Sequence, residues 1–292
     1  MSTPSRTSFV IASRNRSEEL ASVLERLLDT TTSPIVLVDN ASGDDSLAVA
    51  GKLADRWAGR LTVIALDDNL GAVGRNVGVA RCGTPYVAFC DDDSWWEPGA
   101  IGIAEEIFDA HRTVAVLAAR TVVWPSMRDD PIVADLADSA LGRDPALPGP
   151  SILGFLACSA VIRTSAFEAV GGFSPILHFR GEEQLLALDL AVSGWDLCFC
   201  PELTAFHRPS SQREPDAAQR ARALRNEALT AWLRRPFRRC VRASAELVWA
   251  AVRDRDHAAQ LYEAVRAMPA VAAARRRLPA EVERAVRLLE AR

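Results

Sequence analysis

The chain has 292 residues, 49% of them hydrophobic and 25% charged, a composition that suits a soluble globular protein able to bury a real core. A formal net charge of −4 excludes a strongly basic nucleic-acid binder. The total hides a split: residues 1–204 carry 28 acidic and 15 basic side chains, whereas residues 205–292 carry 10 acidic side chains and 19 arginines. Such asymmetry suggests two parts with different tasks.

In chain order, Phe9–Ala12 is a short apolar run followed by polar Ser13-Arg14-Asn15-Arg16. Glu18–Leu28 places Leu20, Val23, Leu24, Leu27 and Leu28 at helical spacing. Ile35–Val38 reads as a strand ending at Asp39-Asn40, and Ser46–Trp57 as an amphipathic helix. Leu61–Leu66 is a third strand, with a turn opening at Asn69-Leu70-Gly71. Arg75–Arg81 reads as helix, and Tyr86–Cys90 as a strand that stops at Asp91-Asp92-Asp93. A further helix is expected around Pro98–Phe108, and Asp129–Pro150 reads as a loop or lid. Ile152–Phe173 returns to apolar structure, and Gly181–Val192 predicts a helix. Leu197–Pro201 and Thr204–His207 read as a last strand and its exit. After Pro209, Arg, Ala and Leu dominate, and helices broken near Pro236, Pro269 and Pro279 are expected.

Apolar strands alternating with helices argue for a mainly parallel α/β sheet. Ligands of such sheets collect at the carboxyl ends of the strands, which here carry Ser13–Arg16, Asp39-Asn40 and Asp91–Asp93. The six cysteines form no CxxC pair and read as buried free thiols. Neither a signal peptide nor an apolar run of about 20 residues is apparent, so a cytoplasmic protein is expected.

Three adjacent carboxylates repel unless something neutralises them. Mg²⁺ or Mn²⁺ is the natural partner of Asp91-Asp92-Asp93, since either takes oxygen ligands and shares them with phosphate. The same triplet also fits a solvated acidic turn or a cap of the following helix. Asp39 has the same two readings. Gly71-Ala72-Val73-Gly74 lacks the GxGxxG order of a dinucleotide fingerprint.

Taken in order, these residues resemble a family 2 glycosyltransferase. The resemblance rests on Val10-Ile11 with Asn15-Arg16, Val38–Asp44, Asn69-Leu70-Gly71 with Arg75–Gly78, and Phe89–Asp93. It continues through Gly171-Gly172-Phe173, Gly181-Glu182-Glu183, Gly194-Trp195, and Pro201-Glu202 as far as His207, covering about residues 7–208. It implies a GT-A fold over residues 1–208, followed by an Arg-rich helical region over 209–292. It also implies a nucleotide-sugar donor, Mg²⁺ or Mn²⁺, and inversion at the anomeric carbon.

By the same resemblance, Ser13, Asn15, Asp39, Asn69, Arg75, Asp91 and Asp92 would bind the nucleotide-sugar. Asp91 and Asp93 would be the outer residues of the DxD metal motif, and His207 would join the metal or diphosphate. Glu182-Glu183 matches a Glu-Asp pair whose second member is usually the general base, with Glu in place of the usual Asp. Glu183 is therefore the expected base, with Glu182 as the alternative or an acceptor contact. A charged helix start is the other explanation of the pair. Trp95 and Trp96 are candidates for stacking on an acceptor sugar, or for core packing.

The Arg-rich tail has three readings: a solvated helical face, a peripheral surface for anionic lipid at the inner face of the membrane, and a docking face for the acidic catalytic part of this or another copy. The acceptor would be a hydroxyl of a glycan, a lipid-linked sugar or a small molecule. The competing function is a nucleotide-sugar-binding protein without turnover. A nucleotidyltransferase would be expected to carry a glycine-rich phosphate loop, and Ser8–Arg16 contains no glycine.

Overall fold

The computed structural model describes residues 5–210 and 215–291. In chain order the elements are β1 (Thr7–Ser13), α1 (Ser17–Thr30), β2 (Ile35–Asp39), α2 (Ser46–Arg56), β3 (Leu61–Ala65), α3 (Val73–Val79) and β4 (Tyr86–Cys90). There follow β5 (Ser94–Trp96), α4 (Ala100–Ala110), β6 (Val114–Val123), β7 (Arg128–Asp129) and α5 (Ile132–Ala137). β8 (Ala160–Arg163), α6 (Thr164–Ala169), α7 (Glu182–Val192) and β9 (Asp196–His207) complete the sheet region. The remainder is helical: α8 (Asp216–Arg234), α9 (Phe237–Ala251), α10 (Arg255–Ala274) and α11 (Ala280–Glu290).

Among the described residues, all strands belong to one sheet, ordered β3-β2-β1-β4-β8-β6-β9-β5, with β7 beside β6. The first four strands are parallel, in line with their continuous apolar runs, buried on both faces at β2 and β4. Beyond β4 the sheet turns mixed, because β8 runs antiparallel to both β4 and β6 and β5 runs antiparallel to β9. One core layer packs α1, α2 and α4 on one face of the sheet through Leu20, Leu24, Leu53 and Phe108. A second layer on the other face gathers Phe89, Phe167, Phe173 and Leu186.

Four expectations change, the first being that Asp129–Pro150 is not all loop, since α5 forms within it and buries Val133 and Leu136. β6 lies where no strand was read, between Phe108 and Asp129, although Val114, Val116, Thr121, Val122 and Val123 are β-branched and favour a strand; it is buried between β8 and β9. Leu197–Pro201 and Thr204–His207 are one strand, β9, in which Pro201, Glu202 and Leu203 are accommodated at a register shift against β6. A bulge is the place where a strand tolerates proline. Pro269 does not break the tail: it sits inside α10 on the same exposed side as Val265, whose carbonyl would lose its amide partner and can turn to water.

The tail packs on the sheet region. Leu177 and Leu185 share a core with Leu229, Leu233, Leu247 and Val271, while Leu188 meets Val282 and Val286. Arg234 grips Asp189 of α7 with two hydrogen bonds, at 2.5 and 2.8 Å. Buried Arg235 pairs with Glu283 at 2.7 Å and with Glu290 at 2.6 Å, so much of the basic charge is answered within the chain. Among the described residues no helix is long and apolar enough to cross a membrane.

Candidate active site

The carboxyl ends of β1, β2 and β4 meet at one edge, and short polar links join the loops that leave them. Ser13 Oγ donates to Asp92 Oδ2 at 2.8 Å, tying β1 to the acidic loop. Burial, with Asp91 and Asp93 alongside, pushes the Asp92 carboxyl up to about 7, although the Ser13 hydroxyl opposes the shift. Asp39 is buried; its Oδ2 accepts from the Ser42 amide at 2.8 Å, and its Oδ1 has no hydrogen-bond partner. Asn15 stands in the left-handed region at φ 54° and accepts from the Gly43 amide at 2.8 Å, so it braces the loop after β2.

Asn69 Oδ1 accepts from the Gly71 amide at 3.0 Å, closing the turn after β3. Gly71 has φ 59°, and a Cβ there would stand 2.3 Å from the His178 carbonyl oxygen, so only glycine fits. That carbonyl accepts from the Ala72 amide at 2.7 Å, which links the turn to the loop before α7.

Arg75 is the centre of the charge arrangement. Its side chain is 5% exposed, with Nη2 2.5 Å from Asp91 Oδ1 and Nη1 3.7 Å from Glu182 Oε1. Burial disfavours its charge, yet Asp91, Glu182 and Glu183 hold its pKa above the ordinary value. Glu182 is buried at the first turn of α7 and Glu183 is half-buried beside it. Burial pushes both carboxyls up, and Arg75 pulls both down. Asp93 and His207 meet at the end of β9, with Nε2 3.4 Å from Oδ1. The amide of Arg208 donates to the Asp93 carbonyl at 2.8 Å and that of Ser210 to Asp93 Oδ2 at 3.2 Å.

The structure thus brings Ser13 to Asp92, Arg75 to Asp91 and Glu182, and Asp93 to His207. It does not gather Asp91, Asp93 and His207 into one cluster: among the described residues no three His, Cys, Asp or Glu side chains are arranged to hold a metal ion. Trp95 and Trp96 are core residues rather than an acceptor platform. Trp96 is buried and its indole donates to the Phe89 carbonyl at 3.1 Å; buried Trp95 stacks on Phe206 with ring centres 5.6 Å apart.

Sequence reasoning gave two asparagines, Asn40 and Asn226, no role of their own. Asn40 bonds to both Leu70 and Gly71, at 3.3 and 3.2 Å, and so fastens the loop after β2 to the turn after β3. Asn226 of α8 donates to the carbonyls of Leu177, Phe179 and Arg180, at 3.0, 2.9 and 2.5 Å, and so holds the loop that leads into α7. The chain has only five asparagines, at 15, 40, 69, 76 and 226, and each hydrogen-bonds to backbone of a neighbouring loop or turn. That scarcity was the available signal.

Residues 8–171 match the family model described as glycosyl transferase family 2, more than half of the chain. The chain belongs to glycosyltransferase family 2. The chain is 32% identical over 101 residues to the succinoglycan biosynthesis protein ExoU of Rhizobium meliloti, covering 34% of this chain and 29% of that protein. It is 30% identical over 155 residues to the pre-mycofactocin glycosyltransferase of Mycobacterium tuberculosis, covering 51% of this chain and 32% of the relative. The matched region therefore spans about a third of the length of these curated relatives. The crystal structure of the mannosyltransferase PcManGT from Pyrobaculum calidifontis, in complex with GDP-Man and Mn²⁺, superposes with a TM-score of 0.61 at 19% identity. That superposition covers 98% of this chain and 79% of the other, tail included, and supports a GT-A fold with a helical C-terminal region.

Proposed function

We propose that this protein transfers a hexosyl or deoxyhexosyl group from a nucleotide-sugar to an acceptor hydroxyl, with inversion at the anomeric carbon. The observation that carries this reading is the bridge from Asp91 through Arg75 to Glu182, which sets the acidic loop after β4 against the start of α7. Residues 1–208 serve as the catalytic unit, and residues 209–292 as the helical region that braces it.

The donor lies along the carboxyl edge of β1, β2 and β4. Asp39 Oδ1, buried without a partner, suits a donor group of the base or ribose. Ser13, Asn15, Asn69 and Arg75 shape the loops that border the nucleotide-sugar, with Asp91 and Asp92 beside the diphosphate.

The donor set at Asp93 and His207 fits a divalent cation of the kind present in the PcManGT complex. The Asp93 carboxylate and the His207 imidazole, 3.4 Å apart, are the side chains that would hold the ion. A divalent ion held there would supply positive charge against the leaving diphosphate.

Glu183 acts as the general base. The acceptor oxygen bonds to the anomeric carbon as the bond from that carbon to the diphosphate oxygen breaks, and the hydroxyl proton passes to the Glu183 carboxylate. Burial raises the basicity of this group, which favours proton uptake, while Arg75 limits the rise. Glu182 keeps Arg75 in place.

The deciding experiment is a thermal-shift screen of UDP-, GDP- and dTDP-sugars with and without Mn²⁺, followed by a transfer or donor-hydrolysis assay. A stabilising donor that is turned over supports the reading. Binding without turnover would make the protein a nucleotide-sugar-binding module instead.

A further inference from the structure

We propose that α9 is an interfacial helix that docks this protein on an anionic lipid bilayer. Phe237, Val241, Ala245, Val248 and Val252 recur at intervals of four, four, three and four residues, so they share one face of the helix. That face points outward. Phe237 is 64%, Trp249 63% and Val252 82% exposed, while the opposite face buries Cys240, Ala243 and Leu247 against the rest of the tail. Large apolar side chains in a continuous exposed row mark a contact surface rather than scatter.

Charge decides the occupant. Arg238, Arg242 and Arg253 are exposed along one flank of the row; Arg242 pairs with Glu246, the single acid of α9, at 2.9 Å, and Arg239 with Glu290 of α11 at 2.6 Å, so Arg238 and Arg253 carry most of the charge offered outward. The Arg253 guanidinium lies 3.2 Å from the centre of the Trp249 ring, a cation–π pair that presents an aromatic body and a charge together. Packing α9 against a second copy of itself about a two-fold axis would bring these arginines close to their own counterparts. A surface of lipid phosphates pairs with them, and the apolar row sinks into the acyl boundary. α10, packed beside α9, adds exposed Tyr262 and Val265.

The arrangement also places the contact near the chemistry. A cleft of about 530 Å³ is bordered by Arg239, Arg242 and Glu246 of α9 on one side and by Gly181, the residue before Glu182, on another. A sugar acceptor held at the bilayer surface would lie beside this opening. That corollary rests on the proposed transfer reaction; the docking surface does not.

The test is sedimentation of the full chain with sucrose-loaded vesicles of phosphatidylcholine alone or mixed with phosphatidylglycerol. Binding is expected on the mixed vesicles and much weaker on the neutral ones, at roughly fivefold for each surface arginine engaged. It should vanish at about 1 M salt, where the Debye length is ~3 Å. Phe237→Ser with Trp249→Ser should abolish it, as should Arg238→Glu with Arg242→Glu; all four positions are exposed, and unchanged thermal melts will show that the variants fold. Failure of the wild-type chain to bind mixed vesicles at low salt overturns the proposal. Full binding by the Phe237/Trp249 variant overturns it as well, and so does a dimer that this variant breaks in the absence of vesicle binding. Because the readout is sedimentation, loss of docking is distinguishable from loss of transfer.

Discussion

Arg75 Nη2 donates to Asp91 Oδ1 at 2.5 Å, and this one contact couples the loop after β4 to the start of α7 through the other side of the same guanidinium. Arg75→Met leaves Asp91, Glu182 and Glu183 facing each other without a cation. Breaking a buried pair by removing one partner costs about 3–5 kcal/mol. Denaturant unfolding should show that loss, together with loss of transfer. Adding Glu182→Gln should recover part of the stability, because it removes one of the repelling charges; strictly additive losses would dismiss the coupling.

Glu183→Gln keeps the side-chain shape and removes the proton acceptor. Transfer should fall by about 10²–10⁴-fold while the donor still raises the melting temperature. Glu182→Gln should act mainly through stability and the position of Arg75. Near-normal turnover by the Glu183 variant would assign the base elsewhere.

Asp93→Ala and His207→Ala each remove one of the two side chains that face each other at the end of β9. Both variants should need more Mn²⁺ to reach half-maximal donor-induced stabilisation, and chelation should abolish that stabilisation in the wild type. Donor binding that ignores both chelator and substitution would exclude the metal role.

Asn226→Ala strips the donor from the carbonyls of Leu177, Phe179 and Arg180. Leaving buried polar groups unsatisfied costs about 1–3 kcal/mol. Since the loop leads directly into α7, kcat should fall more than the KM for the donor rises. A variant with lowered stability and unchanged kcat would show that α8 braces the fold alone.

The tail predicts an acid limit. Glu283 is buried and Glu290 exposed; desolvation works against both charges, yet Arg235 holds both carboxyls below their ordinary values. The unfolded chain therefore takes up protons first, and stability drops as the pH falls from about 4.5 through the lowered native pKa values. Arg235→Met should be clearly less stable than wild type at pH 7, with the difference shrinking below about pH 4. A gap that stays constant across that range would mean that packing, rather than charge, sets the role of Arg235.

Much of the site was legible because its residues cluster in sequence at strand ends. Asp39, Asp91–Asp93 and Glu182-Glu183 each follow or open a regular element, where apolar periodicity stops abruptly. Trp95-Trp96 stayed ambiguous for the same reason: proximity to Asp93 allowed a sugar platform as well as core packing, and β5 pairs with β9 and turns both rings into the core. Asn226 gave no periodic signal within an Arg-rich helix, and only the scarcity of asparagine in the chain set it apart.

The sequence by itself determined the parallel first half of the sheet, the order of the loops at its carboxyl edge and the helical tail, because hydrophobic period and strand-end polarity are local properties. Only the tertiary structure decided which charges meet. The contrast between an acidic part and a basic part resolves there into specific pairs, Arg75 with Asp91 in the candidate site, Arg234 with Asp189, and Arg235 with Glu283 and Glu290. Charge pairing depends on distances across the fold, and composition holds no distances.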